Sequence, residues 1–294
     1  MSARRASFRP HYPFQSHFLD LAGLRYHYLD EGHGEPIVMV HGNPSWSFYY
    51  RHLVQDLRTR YRVIVPDHVG CGFSDKPQNY EYRLERHIGN FEALIQFLDL
   101  QNITLAMHDW GGPIAMGYAV RHPEKVRRLV IFNTAAFWLP HIPWFLRLSA
   151  LPMFGALTIR GMNLFAIITT MVGCRHRERM TKAVRDAYLL PYDNYANRIA
   201  ILRFVQDIPF DPQHPSYTLL RSIEEGLAQF QNRPMLILWG GRDPVFTAAF
   251  FESWKARFPG ASVRWIDDAG HYVIEDAYER IIPWLNDFLE THPV

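Results

Sequence analysis

The stretch Met107-His108-Asp109-Trp110-Gly111-Gly112 joins an apolar run to a segment with helical character. The apolar run Ile103–Met107 predicts a buried strand, and Pro113 is tolerated in the first turn of a helix that follows Gly112. A sharp turn between a strand and a helix presents its side chain to a cleft. Asp109 is therefore a candidate nucleophile, supported by the positive potential of the helix N-terminus. The alternative is that Asp109 only caps this helix.

On both sides of this turn, short apolar runs alternate with longer amphipathic stretches, as in an α/β protein with a mostly parallel central sheet flanked by helices. Leu84–Leu98 has apolar residues at helical spacing, and the helix after Gly112 is expected to close at Pro123. The strand-like runs are apolar almost throughout, which predicts helices on both faces of the sheet. The predicted strands are Leu24–Leu29, Ile37–Val40, Arg62–Pro66, Ile103–Met107, Leu129–Phe132, Met235–Trp239 and Ser262–Ile266.

The alternation stops between Thr134 and Gln229, where only helices and loops are predicted. We therefore expect a first part of the core in residues 1–133, an inserted helical cap in 134–229, and a second part of the core in 230–294. The 46 residues from Leu129 to Cys174 contain two charged side chains, Arg147 and Arg160, where the chain average of 20% predicts about nine. This segment either packs on the sheet, forms an apolar roof over a ligand cavity, or touches lipid or a partner.

The composition favours a soluble cytoplasmic protein that does not bind nucleic acid. The 294 residues carry 31 basic and 29 acidic side chains, so the formal net charge is 31 − 29 = +2, with no basic run. Met1 to Phe14 has no apolar run behind its arginines, so no signal peptide is expected. The longest uncharged stretch, Leu129 to Leu146, contains prolines and does not resemble a membrane span. Cys71 and Cys174 are too few for a disulfide framework and fit a reducing compartment.

Two hydrogen-bond donors are candidates for holding an anion beside Asp109. Asn43 lies in the loop His41-Gly42-Asn43-Pro44 directly after a predicted strand, and its side-chain amide has two donors. Trp110 adds an indole N–H next to the candidate nucleophile. The alternatives are a turn residue before proline for Asn43 and aromatic packing for Trp110.

Asp243 and His271 follow two further predicted strands, and the ends of parallel strands are where open α/β sheets place their sites. The order nucleophile, acid, histidine along the chain is that of the α/β-hydrolases. Taken alone, Asp243 would be interpreted as a turn residue before Pro244. The glycine-rich turn Asp67–Pro77 is interpreted as structural, as are His41, His68 and His108. No His, Cys and Asp residues have the spacing of metal ligands, so no metal or organic cofactor is implied.

Together these motifs resemble the haloalkane dehalogenase branch of the α/β-hydrolase superfamily, over essentially the whole chain and least across the cap. In one dehalogenase subgroup the acid follows the sixth strand, but Asn133 stands there in this sequence, so the acid is assigned to Asp243. The resemblance implies an α/β-hydrolase fold. It also implies the following roles: Asp109 as nucleophile, His271 as the base that activates water, Asp243 as the acid that orients His271, and Asn43 and Trp110 as holders of the leaving anion.

Within this branch the N-terminal half is similar to the β-lactone decarboxylases of bacterial long-chain olefin biosynthesis. Those enzymes convert cis-3-alkyl-4-alkyloxetan-2-ones to cis-alkenes and CO₂. The similarity lies in Tyr12–Phe18, Arg25–Tyr28 and Pro44–Arg51. It implies a hydrophobic small-molecule substrate, attacked by the carboxylate at the carbonyl or at the ring carbon that bears oxygen, and a complex with a β-lactone synthetase. Each buried CH₂ contributes about 0.8 kcal/mol, so two long alkyl chains need an extensive apolar lining, which Phe137–Val172 could provide.

Three other functions remain open at this point. A haloalkane dehalogenase would hydrolyse carbon–halogen bonds with the same five residues. An epoxide hydrolase would protonate its substrate from cap tyrosines, for which Tyr188, Tyr192, Tyr195 and Tyr217 are candidates. A catalytically silent binding protein would keep the fold without the reaction.

Overall fold

The computed structural model describes residues 8–140 and 142–294. Residues 1–7, which are part of the segment where no signal peptide is expected, lie outside the described residues.

One eight-stranded sheet runs through the molecule in the order β1-β2-β4-β3-β5-β6-β7-β8. β1 pairs antiparallel with β2 and β2 antiparallel with β4, whereas the other neighbours are parallel. The strands are β1 His17–Leu21, β2 Leu24–Glu31, β3 Pro36–Val40, β4 Arg62–Pro66, β5 Ile103–Asp109, β6 Val126–Thr134, β7 Met235–Gly240 and β8 Ser262–Ile266.

All seven predicted strands are confirmed, and the prediction missed β1. The side chains of β1 alternate between exposed and half-buried, because this strand lies at the edge of the sheet and lacks a continuous apolar run. It is joined to β2 by Ala22 and Gly23, both with positive φ, which is the backbone of a tight two-residue hairpin.

Eleven helices lie among the described residues. They are α1 Arg51–Leu57, α2 Leu84–Phe97, α3 Gly111–Arg121, α4 Trp144–Ala150, α5 Pro152–Gly155, α6 Leu164–Val172, α7 Lys182–Leu189, α8 Ile199–Gln206, α9 Tyr217–Gly226, α10 Ala248–Arg257 and α11 Val273–Thr291, with a π-helical turn, Ala156–Gly161, between α5 and α6.

The sheet separates two hydrophobic cores. Leu105 and Ile131 belong to the core under α2, α3 and α10, while their neighbours Ala106 and Val130 belong to the core under α1 and α11. Successive residues of a strand point to opposite faces, so both faces are buried only if the strand is apolar throughout. This explains why the central strands could be recognised as unbroken apolar runs.

The segment between β6 and β7 contains only helices and loops in its described residues. A third, smaller core inside it includes Ile159, Tyr192 and Ile201. Helices therefore replace strands where the alternation stops in the sequence, while the exact division at residues 133/134 and 229/230 stays a prediction. In the described chain no single helix is long and apolar enough to span a membrane. One pair of helices, Pro152–Gly161 and Leu164–Val172, is long and apolar enough only when the two are taken together, and they meet at an angle of 68°.

Candidate active site

Asp109 lies at the sharp turn between β5 and α3. Its backbone has a φ of +52°, in the left-handed region that L-residues rarely adopt. The turn is possible because the backbone of Gly111 runs against β3, where a Cβ would overlap the carbonyl oxygen of Val40. This geometry places the Asp109 side chain in the lining of a cavity, where the residue is buried.

The Asp109 carboxylate lies between the loop after β3 and the loop after β8. Its Oδ1 accepts a hydrogen bond of 2.6 Å from the backbone N–H of Asn43. Its Oδ2 is 3.9 Å from Nε2 of His271. Burial raises the pKa of the Asp109 carboxyl, because desolvation of the charged form outweighs the stabilisation by His271 and by the N–H groups of Asn43 and Trp110.

His271 is held on its other side by Asp243. Nδ1 of His271 is 2.8 Å from Oδ2 of Asp243, and both side chains are buried. Burial by itself lowers the pKa of His271, but the charge and hydrogen bond of Asp243, and then the charge of Asp109, outweigh it. The result is a pKa above the ordinary value of 6.5. The imidazole is thus placed between two carboxylates that favour its cation.

Asn133, at the end of β6, is a positioning residue that the sequence did not reveal. Its Nδ2 donates to Oδ2 of Asp243 at 3.0 Å, and its Oδ1 accepts from the backbone N–H of Gly240 at 2.8 Å. The other oxygen of Asp243 accepts from the backbone N–H groups of Val245 and Phe246, at 2.7 and 3.1 Å. Together with His271, these three donors to Asp243 fix the plane of its carboxylate. The only sequence signal was that Asn133 occupies the place where another subgroup has its acid.

Asn43 and Trp110, the two residues predicted to bind an anion, lie beside Asp109 in different ways. Asn43 contacts it through the backbone, while its side-chain Nδ2 donates to the carbonyl of Ile201 on α8 at 3.2 Å. One of the two amide donors that the sequence offered is therefore taken by the helical segment. Trp110 lines the cavity beside Asp109 and packs on Phe204, and its indole N–H donates to no residue in the described ranges. The indole N–H is thus free for a ligand.

The cavity has a volume of about 650 Å³ and opens above Asp109. Only four of its described lining residues have ionisable side chains: Asp109, His271, Asp207 and Arg175. Asp207 is already paired with Arg83 at 3.0 Å. Most of the remaining lining is aliphatic or aromatic. It comes mainly from the helical segment between β6 and β7, and also from α10 and from the loop after β7. A ligand in this cavity therefore meets mostly apolar side chains.

Comparison with known proteins agrees with this geometry. Residues 35–278 match the family model described as the alpha/beta hydrolase fold. The haloalkane dehalogenase DatA of Agrobacterium tumefaciens superposes with a TM-score of 0.83 at 24% identity, covering 95% of this chain and 97% of that one. A protein of Shewanella oneidensis named cis-3-alkyl-4-alkyloxetan-2-one decarboxylase is 47% identical over 94% of this chain and 89% of its own. A protein of the same name from Xanthomonas campestris is 44% identical, over 97% and 99%. Haloalkane dehalogenase 2 of Mycobacterium tuberculosis is 33% identical, over 92% and 93%.

The chain belongs to the haloalkane dehalogenase-like branch of the α/β-hydrolase family. The fold and family expected from the sequence are thereby confirmed.

Within this α/β-hydrolase, the four candidate tyrosines of the helical segment do not face the cavity. No tyrosine occurs among the described residues that line it. Tyr188 donates to Glu275, Tyr192 donates to the carbonyl of Ser45 at 3.2 Å, Tyr195 is exposed, and Tyr217 packs on Trp138. The geometry therefore gives no support to protonation of an epoxide by a tyrosine.

His108, the residue before Asp109, supports the loop that carries His271. Nε2 of His108 donates to the backbone carbonyl of His271 at 2.8 Å, and the two rings are 4.6 Å apart. Burial, reinforced by the positive charge of His271, lowers the pKa of His108 well below its usual value, so the ring stays neutral. The structural interpretation of His108 from the sequence agrees with these contacts.

Proposed function

We propose that the protein is a β-lactone decarboxylase that converts cis-3-alkyl-4-alkyloxetan-2-ones to cis-alkenes and CO₂. Two relatives with this name are 47% and 44% identical over nearly the full chain, whereas the haloalkane dehalogenase relative is 33% identical. The observation that carries the proposal is the position of Asp109: a buried carboxylate beside His271 in the wall of a mostly apolar cavity of about 650 Å³. Such a cavity suits a small polar ring with two alkyl chains.

In the first step the Asp109 carboxylate attacks the ring carbon that bears oxygen. A bond forms between this carbon and the Asp109 oxygen, while the bond between the carbon and the ring oxygen breaks. The electron pair of the broken bond goes to the ring oxygen, which becomes part of a substrate carboxylate. Strain in the four-membered ring is released in this step, and the configuration at the attacked carbon is inverted.

In the second step the carboxylate leaves as CO₂. The electron pair of the breaking carbon–carbon bond forms the double bond, and the bond to Asp109 breaks with its electrons returning to the aspartate. An anti elimination after the first inversion gives the same geometry as a direct syn elimination, so a cis-lactone yields a cis-alkene. Alkene and CO₂ together contain every atom of the lactone, so no water is consumed.

This stoichiometry limits the role that the resemblance implies for His271. A water molecule activated by His271 after attack at the carbonyl would release a β-hydroxy acid, not an alkene. On the decarboxylation route, we propose that the imidazolium form of His271 stabilises the substrate carboxylate while Asp243 keeps the ring charged and oriented. The pKa of His271 is raised by these neighbours, which supports this assignment. The free indole N–H of Trp110 and the remaining amide N–H of Asn43 are the donors proposed for the same anion.

The test is to supply a cis-dialkyl β-lactone to the purified protein in water enriched in heavy oxygen. We expect cis-alkene and CO₂ as products, and no heavy oxygen in the Asp109 peptide after a single turnover. A β-hydroxy acid as product, with heavy oxygen in Asp109, would contradict the decarboxylase and indicate a hydrolase. Bromide release from bromoalkanes without alkene from the lactone would instead establish the haloalkane dehalogenase.

We also propose the cellular setting that the family resemblance implies. The product of this reaction would be a long-chain olefin, and its substrate must be made by an enzyme that closes a β-lactone. The protein is therefore proposed to act in olefin biosynthesis in the cytoplasm, in a complex with a β-lactone synthetase. Co-purification of the two proteins from cells is the measurement that checks this.

A further inference from the structure

The helical segment exposes an unusual number of large apolar side chains. Among the described residues 16 large apolar side chains are exposed, and 11 of these lie between residues 144 and 172. A soluble monomer rarely exposes a contiguous apolar area of this kind unless it binds something. We call these residues the apolar patch: Trp144, Phe145, Leu148, Leu151, Met153, Phe154, Leu157, Met162, Ile168, Met171 and Val172.

The apolar patch forms the mouth of the active-site cavity. α4, α5, the π-helical turn and α6 pack consecutively on one another, so their exposed side chains form one surface. Six patch residues are both exposed and part of the cavity lining: Trp144, Phe145, Leu148, Phe154, Ile168 and Val172. Whatever covers the patch therefore also covers the entrance to the cavity.

The segment Trp144–Val172, which carries the patch, contains only positive charges. Within it the charged residues are Arg147 and Arg160, and neither is paired with a carboxylate in the part of the chain that the structure describes. Arg147 donates to the backbone carbonyl of Phe210, and Arg160 donates to the side chain of Gln78, so the partners of both are uncharged groups. No aspartate or glutamate occurs in the sequence between Glu124 and Glu178. Such a surface is complementary to an anionic one.

We propose that the apolar patch docks on a lipid bilayer that contains anionic headgroups. The helices are short, and α5 with the π-helical turn meets α6 at 68°, which suits helices that lie in the interface. A protein interface carries about one hydrogen bond per 100–200 Å² and a polar rim. The outer patch residues Met153 and Leu157 are 86% and 63% exposed and offer no side-chain hydrogen bonds. A lipid surface needs none.

Docking in this orientation opens the cavity mouth to the hydrocarbon of the bilayer. A substrate with long alkyl chains is dissolved there, and it would reach Asp109 without crossing water. This consequence rests on the proposed function, but the docking itself does not, so the two can be tested apart.

The experiment measures binding to vesicles in the absence of substrate. The full-length protein is sedimented with vesicles of phosphatidylcholine mixed with phosphatidylglycerol, and with phosphatidylcholine alone. We expect strong binding to the mixed vesicles, weaker binding to the neutral ones, and a loss of binding at high salt. The double variant Met153→Asp, Leu157→Asp should lower the partition coefficient about tenfold or more. Each change removes an apolar side chain that docking would bury in the bilayer.

The matched control is Phe97→Asp, which changes a side chain that is 59% exposed on α2 outside the patch. It should bind mixed vesicles like the unchanged protein, and so should Asp109→Ala, because catalysis is not needed for docking. Circular dichroism checks that all variants are folded. Equal loss of binding in Phe97→Asp, or no binding of the unchanged protein to mixed vesicles, would overturn the proposal. A dimer in lipid-free buffer that the double variant converts to monomers would overturn it in favour of a second copy.

Discussion

The carboxyl edge of the sheet and the helical segment above it are built on opposite principles. At the sheet edge, the buried imidazole of His271 lies 2.8 Å from Asp243 and 3.9 Å from Asp109, and both carboxylates accept hydrogen bonds from backbone or amide donors. In Trp144–Val172 charge is almost absent and many apolar side chains face solvent. On the proposed function, the first region determines which bond is attacked, because charges at fixed positions set reactivity. The second is expected to determine which molecules reach that bond.

The largest expected effect is at the centre of the first region. Asp109→Ala removes the proposed nucleophile, so we expect alkene formation to fall about 10⁴-fold or more. Gas chromatography of the alkene measures this. Asp207→Asn is the matched control, since Asp207 is also a buried carboxylate of the cavity but is paired with Arg83. Comparable loss in the folded control would show that the loss does not depend on the position of the carboxylate at the sheet edge, and it would remove the special role of Asp109.

Asp243→Asn tests the charge on His271. We expect a loss of about 10³-fold, because the imidazolium loses its carboxylate partner. The direction in which activity changes with pH tests whether His271 acts in its charged form. His271 has a raised pKa, and the proposed mechanism uses its protonated form, so activity should fall as the pH rises through that raised pKa. Without Asp243 that pKa drops, and the alkaline limb of the kcat/KM profile should move to lower pH. Activity that instead rises with pH would indicate that neutral His271 activates water.

Trp110→Phe removes one hydrogen-bond donor and keeps most of the ring. We expect a decrease of about 10²-fold in kcat, the usual effect of losing one donor to a developing anion. Trp138→Phe is the control, because Trp138 also lines the cavity but its indole N–H is used by the carbonyl of Pro209. If both variants lose activity equally, the role of Trp110 is shape and not hydrogen bonding.

The smallest effect is expected in the helical segment. Ile168→Trp narrows the cavity mouth, and displacing two methylenes at about 0.8 kcal/mol each should lower kcat/KM for long-chain lactones about tenfold relative to short-chain ones. Met171→Trp on the same helix is the control, since Met171 is exposed but does not line the cavity. A uniform loss for all chain lengths would show that this region affects chemistry and not access, and the contrast between the two regions would fail.

The fold could be predicted from the sequence because its signals are local. Unbroken apolar runs mark strands that are buried on both faces, and the turn after Met107 needs glycine two residues beyond Asp109. β1 could not be recognised, because an edge strand that is half exposed carries no such run. Asp109, Asp243 and His271 could be proposed for a similar reason, since Asp109 ends a recognisable strand and the other two lie in the loops after recognisable strands.

By itself, then, the sequence determined the order of the strands along the chain and the residue types at their carboxyl ends. Only the tertiary structure decided what those residues contact. The bond from Asn133 to Asp243 and the one from Asn43 to the carbonyl of Ile201 join residues 110 and 158 positions apart. The structure was also needed for the charge-poor segment Leu129–Cys174. Within it, Trp144–Val172 lines the cavity and also exposes apolar side chains to solvent. Local periodicity specifies secondary structure, whereas burial and hydrogen bonding between distant residues exist only once the chain has packed.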